Sequence, residues 1–217
     1  MKYFYDPRSG SCRRVGTVLI ELDLQVERIR IDLIAGDQRA ASFAALNPNR
    51  MVPVLADGDL VLWEAAAIMI HCCETHGNTP LWPAGKARAD VLRWMFWAAE
   101  HFRQAAPVYF EEHVVTRMTG AAPDAARLGY AASSVSRFAP VLDAHLSGRD
   151  FVVGDGPTLA DIDLAAPLSQ MTRSGVPYDT YPNIMRWYRD LEDALPGWRE
   201  TGAQLEAEMQ ALVAAIQ

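Results

Sequence analysis

Three side chains near the start of the chain have the chemistry to hold or attack sulfur. Ser9, Ser11 and Cys12 lie in the segment Asp6-Pro7-Arg8-Ser9-Gly10-Ser11-Cys12, with Arg13 and Arg14 directly after it. A thiolate is favoured at a helix N-terminus and beside cations, so Cys12 is a candidate redox nucleophile. No Cys-x-x-Cys accompanies it, and a small apolar residue in the first turn of a buried helix is the commoner role. Ser11 suits either a hydroxyl donor or a helix N-cap. Tyr5 is a weaker phenolic donor, more simply a packed strand residue. Arg8, Arg13 and Arg14 read equally as an electropositive rim facing an anionic ligand or as a solvated basic face.

The elements that must position these groups follow from periodicity. Residues 2–5 are aromatic and apolar and stop at Asp6-Pro7, as a strand entering a loop does. Val15, Val18, Leu19 and Leu22 then recur at helical spacing, which starts a helix near Ser11 or Cys12. From Val26 to Leu33 the pattern alternates, with Ile29, Ile31 and Leu33 on one strand face. A strand, a helix and a strand in so short a span form a right-handed crossover with parallel strands. Ser42 to Leu46 is a short helical candidate. Val52–Ala56 and Asp59–Leu62, joined by Asp57-Gly58, form a hairpin, and Glu64–His76 a helix.

Gly77-Asn78-Thr79-Pro80 and Pro83-Ala84-Gly85 then punctuate the chain. Beyond them the sequence is helical throughout, at about 86–116, 124–147, 158–172 and 181–194, with a charged helical tail. The expected layout is an α+β first domain over 1–78 (βαβ-α-ββ-α), a linker at 79–85 and an all-α bundle over 86–217.

Composition narrows the function classes. With 50% hydrophobic and 22% charged residues, the 217-residue chain can fill a core and dissolve. Its net charge of −7 is spread over both parts, which argues against nucleic acid as a partner. No apolar run suits a signal peptide or a membrane span. Three cysteines, two of them adjacent, make no disulfide framework and fit a reducing, cytoplasmic compartment. The five histidines have no metal-ligand spacing, so no metal is expected.

Pro53 within Val52-Pro53-Val54-Leu55 has two readings. An isolated proline of this kind belongs on an edge strand. If the bond is cis, Val52 presents its own N–H and C=O to an extended peptide lying alongside. The order strand, serine-containing loop, helix, strand, N-P-x-x-V-P-V-L, Asp-Gly hairpin and W-E-x-x-x-I helix resembles the thioredoxin-like domain of the glutathione transferase family. The helical half resembles that family's second domain, so the likeness spans nearly the whole chain. It points to a serine-type, bacterial-like cytosolic member serving detoxification.

The resemblance implies a role for each matching position. Ser9, six residues before Val15, stands where serine-type members carry the catalytic hydroxyl, with Ser11 and Cys12 as runners-up. Val52, before Pro53, would hold the cysteinyl backbone of glutathione. Glu64 would hold its γ-glutamyl end together with the next residue, usually Ser but here Ala65. Glu64 also has a purely local reading, as an acidic residue complementing a helix dipole. Gln38 and Arg50 match positions that reach the glycyl carboxylate. A thiol with pKa near 8.5 needs about 2.7 kcal/mol of selective thiolate stabilisation to fall by two units. One hydroxyl bond to the charged sulfur supplies about 1.5–3 kcal/mol and a helix N-terminus about 0.3–1 kcal/mol.

In the second half, Thr158-Leu159-Ala160-Asp161 is a capping box with Asp in place of Glu, a folding signal that also resembles the family's second-domain cap. Asp161 and Asp163 are accordingly poor catalysts. Phe102 and Tyr109, on the first long helical stretch with Trp94, Trp97 and Phe110, are candidates to line an apolar acceptor pocket, with core packing as the plainer alternative. The implied activity is transfer of glutathione sulfur to a small electrophile by a homodimer. Isomerase, lyase or dehalogenase chemistry would use the same thiolate, and a non-catalytic regulatory or interaction module is the rival that Ala65 supports.

Overall fold

A computed structural model describes residues 1–76 and 79–216. Gly77 and Asn78, where the first domain was expected to end, lie outside the described residues, as does Gln217. In chain order the elements are β1 (Lys2–Tyr5), α1 (Gly10–Glu21), β2 (Glu27–Arg30), α2 (Ala41–Leu46), β3 (Val54–Asp57), β4 (Leu60–Trp63) and α3 (Ala65–Thr75). Then come α4 (Gly85–Glu100), α5 (Ala105–Phe110), α6 (Thr116–Thr119), α7 (Ala125–His145), α8 (Leu159–Ala165), α9 (Met171–Ser174), α10 (Pro182–Ala194) and α11 (Pro196–Ile216).

The described residues group into two compact units. The first comprises Met1–Thr79 together with Leu195–Ala215, the second Pro80–Ala194. In the first, the sheet runs β2-β1-β3-β4. β1 and β2 pair in parallel, as the crossover requires, and β1–β3 and β3–β4 are antiparallel. Gly58 makes the hairpin turn at φ +59°, a conformation that costs glycine no steric penalty. α1 packs on α3, burying Val15, Val18 and Leu19 against an apolar set that includes Ile68, Met69 and Cys72.

The tail corrects the expected division, which gave every residue after 86 to one helical domain. α11 docks on α1 instead. Gly197 N–H donates to Glu21 Oε1 (2.6 Å), Thr17 and Thr201 hydroxyls meet at 3.1 Å, and the Arg13 guanidinium lies 3.5 Å from the Trp198 ring centroid. Glycines let the two helices approach: a Cβ on Gly197 would meet the Thr17 carbonyl oxygen at 2.8 Å, and one on Gly202 would meet Arg13 Nη2 at 2.5 Å.

In the second unit the helical stretch expected at 86–116 is broken. α4 ends at Glu100, His101 leaves helical geometry (φ −130°, ψ −61°), and a 3-10 turn at Phe102–Gln104 leads into α5. Pro107 supplies the reason: it has no N–H for the Arg103 carbonyl, and its ring clashes with that oxygen. A π-helical turn at Glu111–Val115 follows, where buried Glu112 accepts from the Asp124 N–H (2.7 Å) and from Arg127 Nη1 (2.5 Å). Pro167 lies in the 3-10 turn Ala166–Gln170 that splits the stretch expected at 158–172.

The capping box is present. Thr158 N–H donates to Asp161 Oδ2 (2.9 Å), and the Thr158 hydroxyl accepts at the start of α8. Asp161 Oδ1 also accepts from Val152 N–H (2.8 Å) and Trp187 Nε1 (2.9 Å), tying three segments together. Buried Asp163 accepts from Arg103 Nη1 at 2.9 Å. Phe102 stacks on Trp97 and tilts against Tyr178, whose hydroxyl donates to the Phe102 carbonyl (3.0 Å). At 2% exposure Phe102 is packed into the core of the second unit. Tyr109 is buried with its ring edge-on to His113.

Candidate active site

Register brings the candidate residues of the first unit to one end of the sheet. Phe4 pairs with Val54, which pairs with Trp63, so the end of β1, the start of β3 and the end of β4 form one row. Tyr5 pairs in parallel with Arg30, which puts the end of β2 there too. The segments just beyond that row carry Ser9, Val52, Glu64 and, after β2, Gln38.

Ser9 is the N-cap of α1, with extended backbone (φ −86°, ψ 121°) and its Oγ accepting from the Cys12 N–H at 3.3 Å. The cap uses an oxygen lone pair, so the hydroxyl proton stays available to an outside acceptor. The helix therefore starts before Ser11, which is not its cap; Ser11 Oγ accepts from Arg14 Nη2 at 3.0 Å. Cys12 is 2% exposed, and burial above all pushes its thiol up to about 12, so it is protonated at neutral pH and poorly suited to act as a nucleophile. Tyr5 stacks on Tyr3 (5.1 Å between centroids).

The arginine cluster is neither of the things the sequence suggested. Arg8 Nη2 donates to Asp6 Oδ2 and to Asp32 Oδ1, each at 2.6 Å, while Arg13 and Arg14 are buried. Arg13 Nη2 donates to the Trp198 carbonyl (2.9 Å). These cations serve the interior of the unit, because carboxylate partners and the α11 cover are close at hand.

The Val52-Pro53 peptide bond is cis, and β3 begins only at Val54. Among the described residues neither the N–H nor the C=O of Val52 has a hydrogen-bond partner. Glu64 is exposed and sits at φ +72°, ψ 113°, a strained conformation of the kind that gathers at ligand clamps. It precedes the first turn of α3, whose N–H groups receive no side-chain cap, and Ala65 behind it is buried. Such a helix start suits a carboxylate. Gln38 donates from Nε2 to the Leu33 carbonyl (3.3 Å), while its Oε1 is buried without a partner among the described residues. Arg50 is exposed at φ +56°.

One functional-loop residue was missed by sequence reasoning. Asp6, fully buried, accepts from Arg8 N–H, Nε and Nη2 and from Leu33 N–H. The signal was Asp-x-Arg at a strand end, where an Asp commonly bonds the N–H two residues on. Burial pushes its carboxyl up, but the Arg8 and Leu33 bonds together outweigh it and hold the group below the usual range. The Arg8 side chain and local N–H groups bring Asp32 down to about 2. Among the described residues no three His, Cys, Asp or Glu side chains gather to hold a metal, and no helix is long and apolar enough to cross a membrane.

The first unit is thus thioredoxin-like, with open backbone groups and an uncapped helix start at one sheet end, and it is joined in sequence to an all-helical unit. Comparison with known proteins identifies the family. The family description "Glutathione S-transferase, N-terminal domain" matches residues 8–75, and "Glutathione S-transferase, C-terminal domain" matches 105–193. Glutathione S-transferase 3 of Zea mays is 32% identical over 212 residues, covering 94% of each chain. Among solved structures, glutathione transferase F7 from Populus trichocarpa superposes with a TM-score of 0.84 at 24% identity, covering 94% of this chain and 98% of that one. A delta-class glutathione transferase of Nilaparvata lugens gives 0.74 at 28% identity, covering 95% and 98%. The chain belongs to the glutathione S-transferase family.

Proposed function

We propose that this family member conjugates glutathione to a small, mostly apolar electrophile, with Ser9 as its catalytic hydroxyl. The supporting observation is that Ser9 caps α1 through an oxygen lone pair at the sheet end where Val52 offers an unused N–H and C=O. In this reading Val52 pairs with the cysteinyl backbone, Glu64 and the first N–H groups of α3 hold the γ-glutamyl end, and Gln38 and Arg50 face the glycyl carboxylate. The Ser9 O–H then donates to the sulfur, the thiol proton leaves to solvent, and the thiolate forms a C–S bond as the electrophile's leaving group departs with its electron pair.

The protein acts as a homodimer in a reducing compartment. Large apolar side chains are exposed in each unit, Met51 at 67% in the first and Phe96 at 67% and Tyr130 at 73% in the second. Cys12, Cys72 and Cys73 are all unpaired. The test is retention on immobilised glutathione and conjugation of a chlorodinitrobenzene by wild type and Ser9→Ala. Binding is expected in both, with kcat/KM at least about tenfold lower in the variant, equivalent to about 1.4 kcal/mol. Equal activity would remove Ser9 from the mechanism.

A further inference from the structure

We infer that Asp6 is a positioning residue for the Ser9 hydroxyl, an inference that rests on the reading of Ser9 above. Asp6 grips the loop at both ends. Its carboxylate takes Arg8 N–H (2.9 Å), Arg8 Nε (2.9 Å) and Arg8 Nη2 (2.6 Å), and also Leu33 N–H (3.1 Å) at the exit from β2. Its main chain takes the Ser9 N–H (3.0 Å) and gives its own N–H to Cys12 Sγ (3.5 Å) in the first turn of α1. Ser9 is thus held at two points, by its N–H on Asp6 and by its Oγ on the Cys12 N–H. Arg8 carries the clamp on to Asp32, which itself accepts from Ile34 and Ala35 N–H groups.

Geometry and charge make opposite demands here. Asp6, Arg8 and Asp32 sum to one negative charge beside the place where a thiolate would form, and by charge alone that opposes the thiolate. The other titratable groups around Asp6 are Cys12 in α1, Tyr3 in β1 and Arg30 in β2, the last paired with Glu208. Asp6→Asn removes a negative charge and replaces one of the two oxygens that grip Arg8 with an NH2 group, which faces other donors there and cannot accept from them. If Asp6 acted only as a charge, the substitution would lower the pKa of bound glutathione thiol; if it sets the Ser9 hydroxyl, the pKa rises.

The experiment titrates the ultraviolet thiolate absorbance of glutathione bound to wild type, Asp6→Asn, Arg8→Lys, Ser9→Ala and the Ser9→Ala/Asp6→Asn double variant, alongside steady-state conjugation. For Asp6→Asn the expected result is a thiol pKa raised by about half a unit to one unit. The accompanying kcat falls about threefold to tenfold at neutral pH while the glutathione KM moves less than about twofold. Arg8→Lys, which keeps the charge but loses the fork, shifts in the same direction and carries the test if Asp6→Asn does not fold. In the Ser9→Ala background the Asp6 substitution no longer raises the pKa, because only the loss of charge is left and that moves the titration downward or not at all. A lowered or unchanged pKa in Asp6→Asn, or an equal shift without Ser9, overturns the inference and leaves the functional reading standing. A wild type that neither binds nor conjugates glutathione overturns both.

Discussion

Ser9 and Cys12 lie one helical turn apart and differ in what their surroundings permit. Ser9 is part-exposed with a proton to give; Cys12 is buried in the first turn of α1 with its proton held. The same holds for Cys72 and Cys73, whose thiols burial pushes up to about 11 and about 12. An alkylating reagent at neutral pH should therefore leave all three cysteines of the native protein unlabelled by peptide mass analysis and leave conjugation intact. Ala65→Ser should lower the glutathione KM about threefold to tenfold by restoring one hydroxyl contact at the head of α3, read by steady-state kinetics. Ser9, Val52 and Glu64 were singled out through a family resemblance whose carriers are local signals, a serine-containing loop, a proline and a strand-to-helix junction, whereas the start of α1 at Gly10 with Ser9 as its cap was not foreseen. Asp6 and the fate of the arginines were not legible. A sequence shows that Arg8 and Asp6 are two residues apart, but not that both are buried together against Asp32.

At the scale of elements, the periodicity that announced α1 and α3 works because each buries apolar residues where the two helices pack together. It failed where tertiary partners decide. The helical pattern after residue 86 is continuous in polarity, yet Pro107 interrupts it, a cue present in the sequence and outweighed by the apolar spacing around it. α11 is a plain amphipathic helix, and nothing in such a pattern says which surface it covers. The close crossing with α1 makes a sharp prediction. Gly197→Ala should destabilise the protein by about 1–3 kcal/mol in thermal or urea denaturation, because its Cβ would run into the Thr17 carbonyl, a backbone atom that cannot swing aside. Thr158→Ala should cost about 0.5–2 kcal/mol through the lost cap. Asp161→Ala should cost more, since Val152 N–H and the Trp187 indole N–H lose a buried acceptor as well.

For the molecule as a whole, the carboxylates of the first unit set an acid limit. Asp6 and Asp32 have folded pKa values below the unfolded value near 4, so their stabilisation is complete above that pH and is lost as pH falls toward the folded values, about 2 for Asp32. Melting temperature should thus decline between about pH 4 and pH 2, and Asp32→Asn should flatten that decline. On the homodimer proposed above, Met51→Asp, which replaces a large exposed apolar side chain with a charge, should shift elution toward the monomer in size-exclusion chromatography. The membership of Leu195–Ala215 in the first unit reaches further, into synthesis. Translation delivers the β-sheet early, but the helix that roofs α1 and seats Trp198 beside Arg13 emerges only after the whole of the second unit. A nascent chain stalled anywhere before residue 195 therefore carries an unroofed α1, a surface for chaperones to shield until that helix arrives.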